Sequence, residues 1–414
     1  MERVFLLDPE RSIQRSYQDL FLDLADFPQV RPLFQDGTPY LLFLELVASL
    51  VRGEKMELLD PDLSATERKR IKTDFESPQY GYSSDEIERF FMFEQLLDRI
   101  KHHSNDWRLS LYTSGTTGRP KKVTHSLGSL TRFVRKSKKH QSDVWAFAYN
   151  PTHFAGLQVF FQAFFNQNPM VYVFDMPRER IPTVLGQNKV THLSATPTFF
   201  RSILPFFERP MLSLQAVTSG GEKFDSTLGD SLQKTFPNAK IRNVYASTEA
   251  GSLFAAEGDL FKIPEKKMEK FKILDSGELL VHKSYLGESE DFMMEGDWFH
   301  TGDIVQEVEA GLFRFQARKN EMINVGGYKV NPHEVEETLL SVPGIQEAIV
   351  FPKGNRVTGN ILAADIVIEP GFPSVDEAEI TRQISKHLQK WKIPRVFRFV
   401  EAISLSRTGK KERK

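Results

Sequence analysis

Tyr112-Thr113-Ser114-Gly115-Thr116-Thr117-Gly118-Arg119-Pro120-Lys121-Lys122 packs four Ser/Thr hydroxyls, two glycines and paired lysines into eleven residues. Glycines let successive backbone N–H groups point into one concavity, a geometry that binds anions. Hydroxyls add donors to phosphate oxygens, and Lys121 supplies a point charge. Apolar residues ahead of the loop mark a strand leading into it. The stretch lacks the GxxxxGK[ST] order of a Walker A loop.

Outward from this loop, between about 105 and 255, short apolar runs alternate with amphipathic stretches: VWAFAY, MVYVF, THLSAT, LQAVTSGG and IRNVYAS. Strand, crossover helix and strand in that rhythm predict an α/β sheet with helices on its faces. From about 270 to 316 the pattern changes to short strands, FKILDSGELLVHK and GDWFHTGDIVQEVEAGLFRFQAR, with hairpin turns at Asp-Ser-Gly and Glu-Ala-Gly. This predicts a small β subdomain. After Asn320, HEVEETLLSVPG and DEAEITRQISKHLQKW read as helices, and EAIVF and LAADIVI as strands. The expected organisation is a large N-terminal domain over 1–318 and a small α/β domain over 319–414. Residues 1–110 carry a strand in GEKMELLDPDLS and a helix in SSDEIERFFMFEQLLDRIKHH.

Composition narrows the function. A chain of 414 residues exceeds one ordinary core. A net charge of −1 gives no global field toward nucleic acid or anionic membrane. The absence of cysteine excludes disulfides, thiolate metal sites and a cysteine nucleophile, and it suits a reducing cytoplasm. The N-terminus lacks the pattern of a signal peptide. Val144–Phe165 is apolar, but Asn150-Pro151-Thr152-His153 breaks it, so it reads as buried strand, loop and buried helix rather than a membrane span. The basic stretch RFVRKSKK, Arg132–Lys139, reads as the solvated face of a helix and not as a nucleic-acid site.

The loop Thr113–Lys121 resembles the signature [ST]SG[ST]TGxPKG of the AMP-forming, adenylate-forming superfamily: acyl- and aryl-CoA ligases, peptide-synthetase adenylation domains and firefly-type luciferases. Lys122 stands where that signature ends in glycine. Other motifs follow in the superfamily's order. Ser219-Gly220-Gly221-Glu222 resembles the turn lining the adenine pocket. Tyr245-Ala246-Ser247-Thr248-Glu249 resembles YGxTE, which implies an aromatic ring on adenine, Thr248 at the α-phosphate and Glu249 on Mg2+. Thr301-Gly302-Asp303 resembles the TGD motif whose carboxylate takes the ribose hydroxyls, and Arg318 matches an arginine that also reaches the ribose. Asn320 occupies the superfamily's hinge position, where Asp or Lys is more usual, which implies a mobile C-terminal domain; the superfamily's longer front region implies that 1–110 is an abbreviated first subdomain. Arg407-Thr408-Gly409-Lys410 resembles the C-terminal motif whose lysine bridges carboxylate and α-phosphate.

The resemblance implies two half-reactions on one site. A carboxylic acid and Mg·ATP give an acyl-adenylate with Lys410 in place, and a thiol then takes the acyl group after the small domain swings about Asn320. Gly326 and Gly327 would let a narrow pantetheine arm pass. His153 and Phe154 fall at the acyl pocket, where Ser219 also contributes, and His153 would gate or orient the acid. No aspartate occurs from His153 to Phe165, which disfavours an amino-acid substrate and favours a simple aryl or acyl acid. The implied acceptor is CoA, with a free-standing acyl-carrier protein as the alternative. Length and pocket also resemble o-succinylbenzoate–CoA ligases. Retention of Thr248, Glu249, Asp303, Arg318 and Lys410 argues against a non-catalytic nucleotide-binding homologue. Lys122 is expected to add charge beside the leaving pyrophosphate.

Overall fold

A computed structural model describes residues 3–27, 33–34, 37–60, 89–113, 121–325, 328–355, 359–372, 376–405 and 411–413. The chain divides into two compact units. One comprises Met1–Asp259 with Val281–Phe299, the other Leu260–Leu280 with His300–Lys414. The expected boundary at 318/319 thus falls inside the second unit.

In the first unit the strands in chain order are β1 (Val4–Asp8), β2 (Ile13–Ser16), β3 (Leu33–Phe34), β4 (Met56–Leu58), β5 (Arg108–Thr113) and β6 (Lys121–Ser126). They continue as β7 (Trp145–Phe147), β8 (Met170–Tyr172), β9 (His192–Ala195), β10 (Ala216–Gly220), β11 (Lys240–Ser247) and β12 (Gly251–Ala256). An eight-stranded sheet has the order β12-β11-β10-β9-β7-β8-β1-β2. Its inner neighbours pair in parallel, while β12 and β2 lie antiparallel at the two edges. Parallel strands buried on both faces need continuous apolar sequence, which the runs around β7 to β11 supply. A second sheet, β3-β4-β5-β6, carries the phosphate-loop sequence.

Phenylalanines dominate the core between these layers. The helix Phe154–Phe164 buries Phe160, Phe161 and Phe164 completely. Phe160 stacks on Phe43 and on Phe164, with centroids 4.9 and 5.3 Å apart. Phe43 lies on the helix Pro39–Arg52, where Ser49 Oγ takes the Trp107 indole N–H at 2.9 Å. The described residues before Ser110 therefore share one core with the segment through Tyr172 and add β1 and β2 to the central sheet.

Arg132–Lys139 is not the expected helix. Helix Leu127–Leu130 stops after one turn, and only Lys138–His140 winds again. Side chains of the neighbouring helical segment replace helical hydrogen bonds here: Arg135 N–H donates to Gln162, and Asn166 donates to the Arg135 carbonyl. Two of the cations are absorbed by rings, Arg132 over Tyr285 and Lys136 over Phe165.

In the second unit, strands Leu260–Lys262, Leu312–Arg318, Trp298–Glu309, Glu278–His282 and Phe271–Ile273 lie in that order, as the short-strand pattern predicts. The chain passes between the units within Glu278–His282 and Trp298–Glu309. A three-stranded sheet follows, from Ile345–Asn355, Gly359–Ile368 and Val396–Phe399. Helices Pro332–Leu340 and Glu377–Ile384 pack Val335, Leu339, Ile380 and Ile384 onto it. The second helix ends well before Trp391.

Candidate active site

Parallel sheets bind ligands outside the carboxyl ends of their strands, at the point where strand order reverses. Here the chain runs from β7 to β8 on one side and returns to β9 on the other, so the reversal lies between β7 and β9. Asn150–His153 follows β7, Thr196–Thr198 follows β9, Gly221 and Glu222 follow β10, and Thr248 and Glu249 follow β11. Motifs dispersed over a hundred residues thus share one end of the sheet.

Gly220 is required by close approach, because a Cβ there would sit 3.0 Å from the Val244 carbonyl oxygen. Gly221 has φ +85°, a left-handed conformation that glycine adopts without strain. Glu222 Oε2 accepts from the N–H and hydroxyl of Thr198, at 2.9 and 2.8 Å, near the N-terminus of helix Pro197–Ile203. Its Oε1 and the Ser219 hydroxyl are buried without a partner among the described residues. Two orphaned polar atoms at a strand end fit a polar ligand that would satisfy them. The nearby Tyr149 hydroxyl is buried, and its pKa is pushed up chiefly by desolvation, so it stays neutral.

Tyr245 is half-buried, with its ring centroid 5.9 Å from that of Phe254. The strand bulges between Tyr245 and Ala246, and Ser247 Oγ then accepts the Ala250 N–H at 3.1 Å, closing the turn. Thr248 and Glu249 ride on this turn. Their backbone carbonyls are gripped from two sides, by His125 Nε2 on Thr248 and the Gly287 N–H on Glu249, both at 2.8 Å. The Glu249 carboxylate is half-buried and makes no hydrogen bond or ion pair among the described residues. A held backbone with an uncommitted carboxylate suits a hard divalent cation.

His125 is absent from the motif reading. It lies on β6, is buried, and has Nδ1 3.2 Å from the Ser129 hydroxyl. Burial lowers its pKa most strongly, so the ring is neutral with its proton on Nε2, donating to Thr248. The strand leaving the phosphate loop is thereby tied to the turn carrying Glu249. The available signal was a histidine on the apolar face of KKVTHS.

Thr113 and Lys121 are paired across β5 and β6. Ser114, Gly115, Thr116, Thr117 and Gly118, between them, lie outside the described residues. Lys122 has a protein partner that the motif does not announce. Its ammonium is ion-paired with the buried Glu57, whose other oxygen accepts from Tyr112 OH at 2.6 Å. A buried carboxylate needs a cation, and Lys122 supplies one here.

His153 caps the helix Phe154–Phe164, with Nε2 2.8 Å from Oδ2 of the buried Asp60. Asp60 belongs to the front of the chain and carried no sequence signal. Phe154 is buried against His125, with centroids 5.4 Å apart, and against Gly251.

In the second unit Asp303 and Arg318 face each other across paired strands, Oδ1 to Nε 2.9 Å. The Thr301-Gly302-Asp303 turn is braced internally: Asp303 N–H donates to Thr301 Oγ1 at 3.0 Å, and Gly302 N–H to Glu278 at 3.2 Å. Burial works to raise the Glu278 pKa, but Lys319, the Gly302 N–H and His300 outweigh it, and the net shift is downward.

Asn320 sits in the turn Lys319–Glu321. Gly326, Gly327 and Lys410 lie outside the described residues. Sequence flanking Lys410 is anchored: Leu405 bridges Lys411, Lys411 Nζ reaches the Ala348 carbonyl at 3.2 Å, and Arg413 donates to Glu336 and to the Val350 carbonyl. Glu336 also meets His333, which pairs with Glu321 at 3.1 Å.

The AMP-binding enzyme family model matches residues 36–273, more than half the chain, and the model of the family's C-terminal domain matches 334–410. The chain belongs to the AMP-binding enzyme family. Among AMP-binding enzymes it is 31% identical over 275 residues to 4-coumarate–CoA ligase 1 of Glycine max, covering 58% of this chain and 94% of that protein. It is 26% identical to 2-succinylbenzoate–CoA ligase of Bacillus pumilus, covering 92% and 86%. The fold matches o-succinylbenzoate CoA synthetase of Bacillus subtilis, solved with an acyl-adenylate, with TM-score 0.73, 22% identity and coverage of 99% and 94%. The chain spans only 5%, 64% and 64% of the length of three further curated relatives.

Proposed function

We propose that this AMP-binding enzyme is an AMP-forming acid–thiol ligase that activates an aryl or acyl carboxylic acid and passes it to CoA. The observation that carries the reading is the Thr248–Glu249 turn, gripped through both carbonyls while its carboxylate has no partner among the described residues. In the first step a carboxylate oxygen attacks the α-phosphorus of ATP. The bridging bond to the β-phosphate breaks, and pyrophosphate leaves. In the second, a thiolate attacks the acyl carbonyl and AMP departs with that carboxylate oxygen. Glu249 would hold Mg2+, which when bound neutralises phosphate charge.

The chain's own groups are assigned as follows. Ser219, Gly220, Gly221, Glu222, Tyr245, Ala246 and Ser247 form the adenine side. Thr248, Thr113–Gly118 and Lys121 serve the phosphates, and Asp303 with Arg318 serves the ribose. Lys410 is the lysine of adenylation, and Asn320 is the hinge that exchanges it for the Gly326-Gly327 segment. His153, oriented by Asp60, positions the acid beside Phe154. The matches to 4-coumarate– and 2-succinylbenzoate–CoA ligases support an aryl acid and CoA. No described helix is long and apolar enough to cross a membrane, and the lack of cysteine supports a cytoplasmic site of action.

Pyrophosphate release from ATP, measured over a panel of aryl and acyl acids with and without CoA, tests the reading. Stimulation by one class of acid, with its CoA thioester as product, is expected. ATP binding with no acid giving turnover would favour a non-catalytic homologue, and turnover without acylation of CoA a carrier-protein acceptor.

A further inference from the structure

At the opposite, amino-terminal edge of the eight-stranded sheet, three side chains converge that the proposed reaction does not use. Asp143 lies two residues before β7, and His192 opens β9. His140 Nδ1 and His192 Nε2 point at the same carboxylate oxygen, Asp143 Oδ2, from 2.9 and 3.5 Å. All three ligand atoms lie within 4.8 Å of one another. Atoms bound tetrahedrally at zinc distances are separated by roughly 3.4 Å, so closure on an ion needs only small side-chain adjustments.

We propose that His140, Asp143 and His192 form a binding site for a divalent cation of the zinc class, separate from the nucleotide site. The donor set decides the class. Two imidazoles and one carboxylate suit zinc, cobalt or nickel, whereas magnesium prefers oxygen ligands only.

The surroundings are built to hold the ligands. Asp143 is 5% exposed. His192 is sandwiched between Trp145, at 4.6 Å between centroids, and the Thr191 hydroxyl, at 2.8 Å from Nδ1. That hydroxyl lies within reach of the Val144 carbonyl at 3.2 Å. By turning its proton there, it can accept Nδ1–H and leave the Nε2 lone pair for a metal. Such a partner on the second ring nitrogen is the usual support of a metal-bound histidine. Asn168 holds the His140 carbonyl at 2.8 Å, fixing the backbone of the third ligand. The side chains of His140 and His192 keep 25% and 12% exposure, leaving room for water to complete the coordination.

The test titrates chelator-treated full-length protein with Zn2+ in excess Mg2+, by calorimetry and by melting temperature, and with Co2+ by visible absorption. Wild type should bind one Zn2+ per chain with a rise in melting temperature. His140→Gln, His192→Gln and Asp143→Asn should each weaken binding at least about tenfold and abolish that rise. His140→Gln changes a partly exposed residue, so it tests the site even where Asp143→Asn unfolds the sheet edge. Zinc binding and stabilisation unchanged in His140→Gln, or no saturable binding by wild type, would overturn the proposal.

Discussion

His125 joins two motifs that are far apart in the chain. Its ring holds the Thr248 carbonyl from the strand that leaves the phosphate loop, so the loop's exit and the turn bearing Glu249 are tied together. Removing one partner of a buried hydrogen bond costs about 1–3 kcal/mol. His125→Ala is therefore expected to lower kcat for pyrophosphate release by about tenfold or more, with a smaller change in KM for ATP. A kcat within twofold of wild type would show that the tie has no kinetic role. A second residue-scale prediction concerns pH. Burial opposes protonation of His333, but Glu321 and Glu336 outweigh it and raise its pKa above 6.5. Burial likewise opposes ionisation of Glu336, but His333 and Arg413 bring its pKa from 4.5 down to about 2. A raised His pKa stabilises fully below 6.5, and this is lost as pH rises through the folded value. A depressed Glu pKa stabilises above 4.5, and this is lost as pH falls toward 2. The cluster contributes most between about pH 4.5 and 6.5. Hydrogen-exchange protection factors of helix Pro332–Leu340, taken relative to the intrinsic rate at each pH, should be highest in that window, and His333→Gln should remove the loss of protection on the alkaline side.

Elements rather than single residues set the position of the loop that follows β7. Gly156 lies in the first turn of the helix capped by His153, and a Cβ there would lie 2.4 Å from the Asn150 carbonyl oxygen. Gly156→Ala must push the helix off that loop, which should cost about 1–3 kcal/mol. A melting temperature within a degree of wild type would contradict this packing. The parallel strands were legible because runs such as LQAVTSGG and IRNVYAS are apolar and end in residues suited to turns. Glu249, Asp303 and Arg318 stand out in the sequence as members of ordered motifs, and the roles proposed for them rest on that order. The partners that hold the motif turns were not. His125, Glu278 and Asp60 act through pairings 123, 24 and 93 residues apart, which no local spacing encodes. The pairing of Lys122 was not legible for the same reason, since its partner Glu57 is 65 residues away. The basic helix over Arg132–Lys139 failed because Gln162 and Asn166, beyond the local window, took its backbone groups.

At the scale of the whole molecule, the first unit carries the motif turns after β7, β9, β10 and β11, and the second carries Asp303, Arg318 and the sequence around Lys410. Lys410→Ala is expected to lower acid-dependent pyrophosphate release by at least a hundredfold, with ATP affinity measured by calorimetry changed less than fivefold. Equal losses in both would make Lys410 a binding residue. The central claim is that the acid's own oxygen attacks the α-phosphorus of ATP. With the most active acid of the panel labelled with 18O in its carboxylate, mass spectrometry of the nucleotide product reads this directly. AMP carrying one 18O atom alongside unlabelled pyrophosphate is expected. Formation of ADP with the label in inorganic phosphate, or of unlabelled AMP, would contradict it.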